Sequence, residues 1–413
     1  MPADNRRWTV PAAVAIVLLA VGPFLPSLDN QLALDDHLLI AANPRIANPF
    51  DVHAIWLTDW WFAAGVAALS PDRDLLYRPL VVQIFAFIHV FAGTWTLPYH
   101  VVNLVGHALA SLAVAALTRR LFRSGWLAAV TGVVFAVHPV HGEAVISLVG
   151  LTEILTTLFL CLGLLAFLRS EDRPRRWRGR LLKLYGAFCF LLALLSKEQG
   201  LTFVVLLPLC LWWDLRQRRA DGSPRPPAIA GHFPPVLRLV AMGTVVAALV
   251  LAVYMPLRYV ALDYRLKSST PPQMMSNTLS VANSWQYLWT LLAIAGEYLR
   301  LAFWPARLSC DYSYDAVPLA DSVADPRVLW ALTAAGVLIV WSIASLWRRR
   351  VGFFITLFFL GTYALPSNAV FLLRTMISER LFYLPLLPLT WAVLFPICRT
   401  AGWIARLGRP GRV

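Results

Sequence analysis

Long apolar blocks are the feature that most constrains how this 413-residue chain folds. Hydrophobic residues make up 59% of the sequence and charged residues 14%, whereas a soluble domain has about 25% charged residues. A single soluble core could not bury so much apolar surface. Several blocks, such as 8–26, 98–117 and 236–257, are close to the ~20 residues that cross a bilayer as a helix. The blocks therefore predict an all-α, polytopic membrane protein.

The first block is predicted to remain in the protein as a membrane span. Arg6 and Arg7 precede it, as in a secretory signal, but the run ends in Gly22-Pro23 without a small-x-small cleavage pattern. The two arginines place the N-terminus in the cytoplasm.

The net charge of +14 comes largely from basic clusters at the ends of apolar blocks. This distribution is typical of the cytoplasmic loops of membrane proteins. We therefore expect membrane lipids to surround the chain and expect no nucleic-acid partner.

The basic clusters predict about ten spans and two helices in the membrane interface. If 79–92 crossed, the cluster at 119–123 would lie outside, and about fourteen residues are short for a span. We therefore expect 79–92 to be interfacial, and also 286–304, which carries two charges. The predicted spans are 8–26, 98–117, 126–138, 153–168, 181–196, 200–214, 236–257, 328–347, 351–366 and 381–398.

This threading places 24 of the 36 Lys and Arg residues on the cytoplasmic side and 17 of the 22 Asp and Glu residues outside. It predicts one membrane domain, 1–413, in the cell membrane, with long outer segments at 27–78 and 258–327. Every polar cluster of interest then opens on the extracytoplasmic side, where we expect the active site.

An acidic pair, Asp35 and Asp36, follows the first span by about eight residues. Repulsion between adjacent carboxylates raises the pKa of one of them towards a value useful for a general base. A solvated turn or a helix cap is the alternative interpretation. Arg78, at the start of the 79–92 helix, is placed either to bind a lipid phosphate or to anchor that helix in the interface.

An HxxHxE sequence after the 126–138 span superficially resembles a metal-binding motif. Pro139 argues against one helix presenting both His138 and His141 beside Glu143, so no metal site is predicted. Whether the protein needs a divalent cation stays open. Other polar residues on the same predicted side are Glu153, Lys197, Glu198, Arg300, Asp311, Asn368, Glu379 and Arg380.

Eight segments, in a single order along the chain, resemble the transmembrane and tetratricopeptide-repeat O-mannosyltransferases of the GT-C superfamily. One family motif, Gly-Arg-Ala-Asp, is replaced here by Gly150-Leu151-Thr152-Glu153, and residues 400–413 contain no tetratricopeptide repeat. The matching segments are LDDHLLIAANP (34–44), YRPL (77–80), YHVVNLVGHAL (99–109), FAVHPVHGEAV (135–145), SKEQG (196–200), WPARLSCDYS (304–313), LPSNAVF (365–371) and SERLFYLP (378–385).

The resemblance implies a GT-C-like glycosyltransferase that moves mannose, with inversion, from polyprenyl-phosphate-mannose to a protein Ser or Thr hydroxyl. Asp35 would be the catalytic base, with Asp36 tuning or positioning it. Arg78, Arg300 and Arg380 would bind the donor phosphate. The residues expected to shape the substrate site are His100, Asn103, His138, His141, Glu143, Glu153, Lys197, Glu198, Asp311, Asn368 and Glu379.

Other functions stay open at this stage. A glycan- or lipid-directed GT-C transferase or ligase could have the same chemistry in its first loop. A lipid or sugar transporter would favour paired inverted repeats, and no such repeat is visible. A non-catalytic membrane scaffold would tolerate loss of Asp35. The sugar, the acceptor and the oligomeric state are not determined by the sequence.

Overall fold

The computed structural model describes residues 9–61, 75–172, 177–220, 235–265, 274, 276–348 and 351–407. Fourteen α-helices and no strand occur among them, so the all-α polytopic class is confirmed. The helices are α1 (Thr9–Val21), α2 (Val52–Trp56), α3 (Pro79–Ala92), α4 (Leu97–Phe122), α5 (Gly125–Val137), α6 (Gly142–Ile146), α7 (Leu151–Ser170), α8 (Trp177–Ser196), α9 (Phe203–Ala220), α10 (Pro235–Ala261), α11 (Ser284–Phe303), α12 (Pro326–Arg348), α13 (Val351–Tyr363) and α14 (Leu386–Leu407).

Six helical stretches of the described chain are long and apolar enough to cross a bilayer. A seventh span results if α5 and the following Pro139–Ile146, bent by 53°, are counted as one. The predicted spans 200–214, 351–366 and 381–398 correspond to α9, α13 and the start of α14, and their crossing stays a prediction. The six stretches are Val10–Asp29, Leu97–Phe122, Leu148–Ser170, Trp177–Ser196, Leu237–Ala261 and Pro326–Ala344.

Two glycines allow α7 and α8 to pack closely. A Cβ on Gly163 would lie 2.5 Å from the Phe190 ring, and one on Gly186 would lie 2.6 Å from Phe167. The two phenylalanine rings stack at a centroid distance of 5.6 Å. Small residues at such crossings let membrane helices approach to van der Waals contact.

The helices run between two ends of the bundle. At the polar end, defined by Asp36, Glu143, Lys197 and Arg380, the loop after α1 meets the start of α4, where Thr96 Oγ1 donates to the Asn30 carbonyl at 2.7 Å. The arginine end is defined by the arginines where α4 and α7 finish, namely Arg119, Arg120, Arg123 and Arg169.

Helix α3 has both of its ends at the polar end. Its start follows Arg78, which contacts Glu198 just after α8. Its other end meets the start of α4, where the Tyr99 hydroxyl donates to the Gly93 carbonyl at 2.9 Å. Fourteen helical residues extend about 21 Å, less than the ~30 Å hydrocarbon core. Both ends of α3 therefore lie at one end of the bundle, and the interfacial placement of 79–92 stays a prediction.

Helix α11 also joins two points of the polar end. The Tyr287 hydroxyl, near its start, donates to the Asn368 carbonyl at 2.8 Å. The Ala302 carbonyl, near its end, lies 3.0 Å from His138 Nε2. Both ends of α11 therefore lie at the polar end, and the interfacial placement of 286–304 stays a prediction.

Candidate active site

The acidic pair opens a short helical turn after α1, and its two carboxylates have different surroundings. Asp36 is buried; its Oδ2 accepts a hydrogen bond from Ala33 N at 3.2 Å. Its Oδ1 has no hydrogen-bond partner among the described residues. Burial, more than the charge of Asp35, raises the pKa of Asp36 to about 6. Asp35 is half-buried. The raised pKa expected for one member of the pair thus belongs to Asp36, and burial is its main cause.

Arg380 connects the acidic pair to α6. Its Nε lies 3.2 Å from Glu143 Oε1, and its backbone N–H donates to Glu143 Oε2 at 3.0 Å. Ser378 Oγ also donates to Glu143, at 2.8 Å. Burial opposes ionisation of Arg380, but Glu143, Glu153 and the acidic pair raise its pKa. Arg380 is therefore held as a cation within electrostatic reach of both aspartates.

Arg78 lies at the start of α3, within a second acid–base group. Its guanidinium is 5.4 Å from the Trp60 ring centroid, and its Nε is 3.4 Å from Glu198 Oε2. Glu198 also accepts from Tyr77 N at 3.1 Å and from Arg258 at 3.3 Å. Burial opposes ionisation of Glu198, but the two arginines and the backbone donors hold its pKa below the ordinary value.

A buried ion pair between Lys197 and Glu153 joins these two groups. Lys197 follows α8, and Glu153 lies in the first turn of α7, where it also accepts from Thr152. Arg78 and Arg380 both act electrostatically on the pair. The acidic pair, the ion pair and the two arginines therefore belong to a single polar cluster.

The histidines of the HxxHxE sequence hold the bend between α5 and α6. His138 accepts from Val140 N at 3.3 Å, and its other ring nitrogen faces the Ala302 carbonyl. His141 Nδ1 lies 2.8 Å from the Phe135 carbonyl. Nowhere in the described ranges do three His, Cys, Asp or Glu residues form a group that could hold a metal ion.

His100 and Asn103 lie on the buried face of α4. Asn103 Nδ2 donates to the carbonyls of Val145 and Ser147, at 3.3 and 2.8 Å, and so fixes the α6 region against α4. Neither ring nitrogen of His100 has a well-formed hydrogen bond within the described chain. Asn103 therefore has a structural role, and the side chain of His100 is enclosed by the protein.

Asp311 and Asn368 organise loops at the polar end. Asp311 Oδ1 accepts from Ser313 N at 2.8 Å. Asn368 is buried, with a φ of 59°; its Oδ1 accepts from Asn277 Nδ2 at 3.1 Å and from Leu373 N at 2.9 Å. These contacts give both residues a structural role.

Glu379 and Arg300 lie beside the polar cluster and have partners of their own. Glu379 accepts from Ser309 N at 2.7 Å and from the Tyr312 hydroxyl at 2.8 Å, and burial raises its pKa. Arg300 Nε donates to Glu297 at 2.7 Å, one helical turn earlier. Of the three predicted phosphate-binding arginines, the structure brings Arg78 and Arg380 together at the Lys197–Glu153 pair.

Arg258 and Trp60 were not among the predicted site residues. Arg258 donates to Glu198 and to the Leu75 carbonyl, the latter at 2.8 Å. Arg258 could have been identified from the sequence, because it is an arginine in the last turn of a long apolar helix. Charges near membrane spans are rare without a partner. Trp60 offered no such signal, because its position over Arg78 depends on the fold of the first outer segment.

Comparison with known proteins places the chain beside one family. The family model "Protein O-mannosyl-transferase TMTC, DUF1736" matches residues 266–339. The human protein O-mannosyl-transferase TMTC1 is 26% identical over 98% of this chain and 48% of its own length. The Caenorhabditis elegans protein O-mannosyl-transferase F38B6.6 is 25% identical over 92% of this chain and 50% of its own. The mouse protein O-mannosyl-transferase TMTC3 is 26% identical over 90% of this chain and 40% of its own length.

The chain spans about half the length of these curated relatives, or less. No solved structure matches it significantly. The resemblance to the transmembrane and tetratricopeptide-repeat O-mannosyltransferases is confirmed, since the similarity covers nine-tenths of this chain or more.

Proposed function

We propose that this chain is a glycosyltransferase that moves mannose, with inversion, from a polyprenyl-phosphate carrier to a protein Ser or Thr hydroxyl. The reaction takes place at the polar end of the bundle, on the extracytoplasmic side of the cell membrane. One observation carries the proposal: a single cluster contains the acidic pair together with Arg78, Lys197 and Arg380. The relatives named protein O-mannosyl-transferases support the sugar and the class of acceptor.

The chemistry of a lipid-linked donor fits this combination of charges. The acceptor oxygen forms a bond to the anomeric carbon, while the bond from that carbon to the phosphate oxygen breaks. The hydroxyl proton passes to a carboxylate, and the lipid phosphate leaves as an anion. The reaction therefore needs a base at the acceptor and cations at the phosphate, and no acid at the leaving oxygen.

The two arginines are suited to binding a phosphate because each guanidinium contacts a glutamate through its Nε side. Among the residues that the structure describes, the Arg78 side chain bonds only through Nε, to Glu198, and the Arg380 side chain contacts Glu143 through Nε. The terminal nitrogens of each guanidinium can then donate hydrogen bonds to the phosphate oxygens of the lipid-linked sugar. Glu198 and Glu143 act as positioning residues.

Asp35 is the proposed base, because it is half-buried and its carboxylate can be reached by an acceptor. Asp36 is buried and bonded to its own turn, so that its role is to position Asp35. The proposed extracytoplasmic site is the reason for a lipid-borne donor, since nucleotide sugars are absent on that side.

The test is a transfer assay with purified protein, polyprenyl-phosphate-mannose and Ser/Thr-containing peptides, read by mass spectrometry. We expect peptides that gain one hexose, and an inverted linkage by NMR. A parallel reaction with chelator shows whether a divalent cation is required. Transfer only to glycan or lipid acceptors would overturn the proposal that the acceptor is a protein. Movement of the donor across vesicles without any transfer would favour a transporter.

A further inference from the structure

A cavity of about 450 Å³ opens at the arginine end, away from the polar cluster. Its walls come from α1, α4, α5 and α7 and contain six alanines, among them Ala12, Ala116 and Ala129. The four arginines that define this end, 119, 120, 123 and 169, also line the cavity. The cavity therefore combines an apolar interior with a strongly basic lining.

Helix packing closes the inner end of this cavity. A Cβ on Gly132 of α5 would lie 2.5 Å from Ile16 Cδ1 of α1 and 2.9 Å from the Cβ of Ala115 of α4. Ile16 and Ala115 line the cavity as well. Towards the arginine end the facing side chains are mostly alanines, which are too small to fill the space. The result is a groove between α1, α4 and α5 that ends where Gly132 packs on Ile16 and Ala115.

Two carboxylates of the described chain pair with arginines at this end. Arg120 contacts Asp172 at 3.1 Å and Asp214 at 3.2 Å, and Arg218 binds the same two carboxylates. Arg123 Nη2 also lies 4.0 Å from Asp214 Oδ1, so that in the described part of the chain three arginines share these two acids. In addition, Arg120 Nε is buried without a hydrogen-bond partner in the described part of the chain. The positive-inside bias explains arginines at helix ends, but it does not require an apolar cavity beside them.

Two exposed tryptophans indicate the depth of the arginines in a bilayer. Trp126 at the start of α5 is 60% exposed and Trp177 at the start of α8 is 66% exposed. Tryptophan is enriched at the membrane–water interface. The arginines of this end therefore lie at headgroup depth, and the alanine-lined groove extends to the depth of the acyl chains.

We propose that this cavity binds an anionic phospholipid of the surrounding bilayer. The phosphate lies among Arg119, Arg123 and Arg169, and one acyl chain follows the groove between α1, α4 and α5. Basic pockets between membrane helices bind acidic lipid headgroups in this manner. The apolar groove is the reason to choose a lipid over a free anion, which would occupy the basic mouth alone. The site is independent of the proposed transfer reaction.

Native mass spectrometry of the purified chain tests the charged part of the site, with phosphatidylglycerol and phosphatidylcholine of equal chain length as probes. We expect phosphatidylglycerol to bind more tightly. The double variant Arg119→Gln, Arg169→Gln should weaken its binding about 25-fold, since each basic group contributes roughly fivefold at an anionic surface. The control, Arg178→Gln with Arg180→Gln, removes two exposed arginines from nearby α8 and should leave the binding unchanged.

A second variant tests the groove without altering the charge. Ala129→Leu fills the cavity and should weaken phosphatidylglycerol binding at least fivefold, whereas Ala241→Leu, at an exposed position of α10, should not. Thermal midpoints confirm that each variant is folded. Equal binding of the two lipids, or unchanged binding in Ala129→Leu, would overturn the proposal. Competition by inorganic phosphate at the affinity of the lipid would reduce the site to one for a free anion and would overturn it too.

Discussion

At the scale of single residues, burial separates two aspartates that are neighbours in the chain. Asp36 is buried, with its pKa raised to about 6, whereas Asp35 is half-buried beside it. The two carboxylates therefore differ in their access to solvent. The division of roles between them can therefore be tested by the same substitution at each position.

Asp35→Asn keeps the shape of the side chain but removes the proton acceptor. A general base contributes about 10²- to 10⁴-fold, so turnover should fall by that factor while donor binding persists. Asp36→Asn should cause a smaller loss. The measurement is turnover beside donor affinity for both variants. Wild-type turnover in Asp35→Asn would move the base elsewhere, with Glu143 or Glu153 next, and loss of donor binding would make Asp35 a binding group.

Arg78→Ala should weaken binding of the lipid-phosphate donor at least tenfold. The contact is charge-assisted and worth about 1.5–3 kcal/mol, and 1.4 kcal/mol corresponds to tenfold. Arg78→Lys should recover part of the affinity, because it keeps the charge but loses the planar fork. Arg327→Ala is the control, since Arg327 is paired with Asp325 at the start of α12. Unchanged donor affinity in Arg78→Ala would return Arg78 to the role of an interfacial anchor.

At the scale of elements, helix length and helix contacts determine which segments cross the bundle. α3 and α11 each connect two points of the polar end, whereas α4 runs from the polar end to the arginine end. If α3 does not cross, the arginine end faces the cytoplasm and the polar end faces outwards.

Cysteine labelling in intact cells tests this orientation. Cys310 is exposed, and the neighbouring Ser309 bonds to Glu379 at the polar end. A membrane-impermeant maleimide should therefore label the wild-type chain, and Cys310→Ser should abolish the labelling. Arg123→Cys in that background should react only after the membrane is permeabilised. Labelling of position 123 in intact cells would invert the threading.

Gly163→Ala should destabilise the bundle by about 1–3 kcal/mol, the usual cost of overpacking a core. The new Cβ would meet the Phe190 ring, which stacks on Phe167 and Phe203 and has no room to move. Gly336→Ala is the matched control, because no atom lies within 4 Å of a Cβ at that helical position. Thermal midpoints in detergent measure both. An unchanged midpoint in Gly163→Ala would show that α7 and α8 pack less closely than described.

At the scale of the whole molecule, the polar cluster is assembled from parts that are distant along the chain. Arg380 and Glu143 are 237 residues apart, and Tyr77 and Glu198 are 121 residues apart. The Lys197–Glu153 pair lies between these contacts and joins α7 to the end of α8. The cluster therefore depends on the bundle, and the bundle in turn depends on neutralising these buried charges.

A double-mutant cycle measures this dependence. Glu153→Gln or Lys197→Met alone leaves a buried charge without its partner and should cost about 3–5 kcal/mol. The double variant should cost clearly less than the sum of the two, because no uncompensated charge remains. Unfolding free energies of the four proteins provide the test. Additive losses would show that the two side chains do not interact.

The sequence by itself determined the all-α membrane class and the approximate positions of the long helices, and it predicted the polar segments of the candidate site. The physical reason is that a chain in hydrocarbon must satisfy its backbone hydrogen bonds within each segment, so that an apolar block specifies its own helix. The short 79–92 helix could be recognised for the same reason, because its length is local information.

Only the tertiary structure decided which polar residues work together. Asp36 rather than Asp35 is the buried aspartate, Glu198 holds Arg78 together with Arg258, and Arg300 pairs within its own helix. The histidines that resembled metal ligands face backbone carbonyls. Burial and ion pairing depend on how helices far apart in the chain pack against each other, and spacing along the chain does not contain that information.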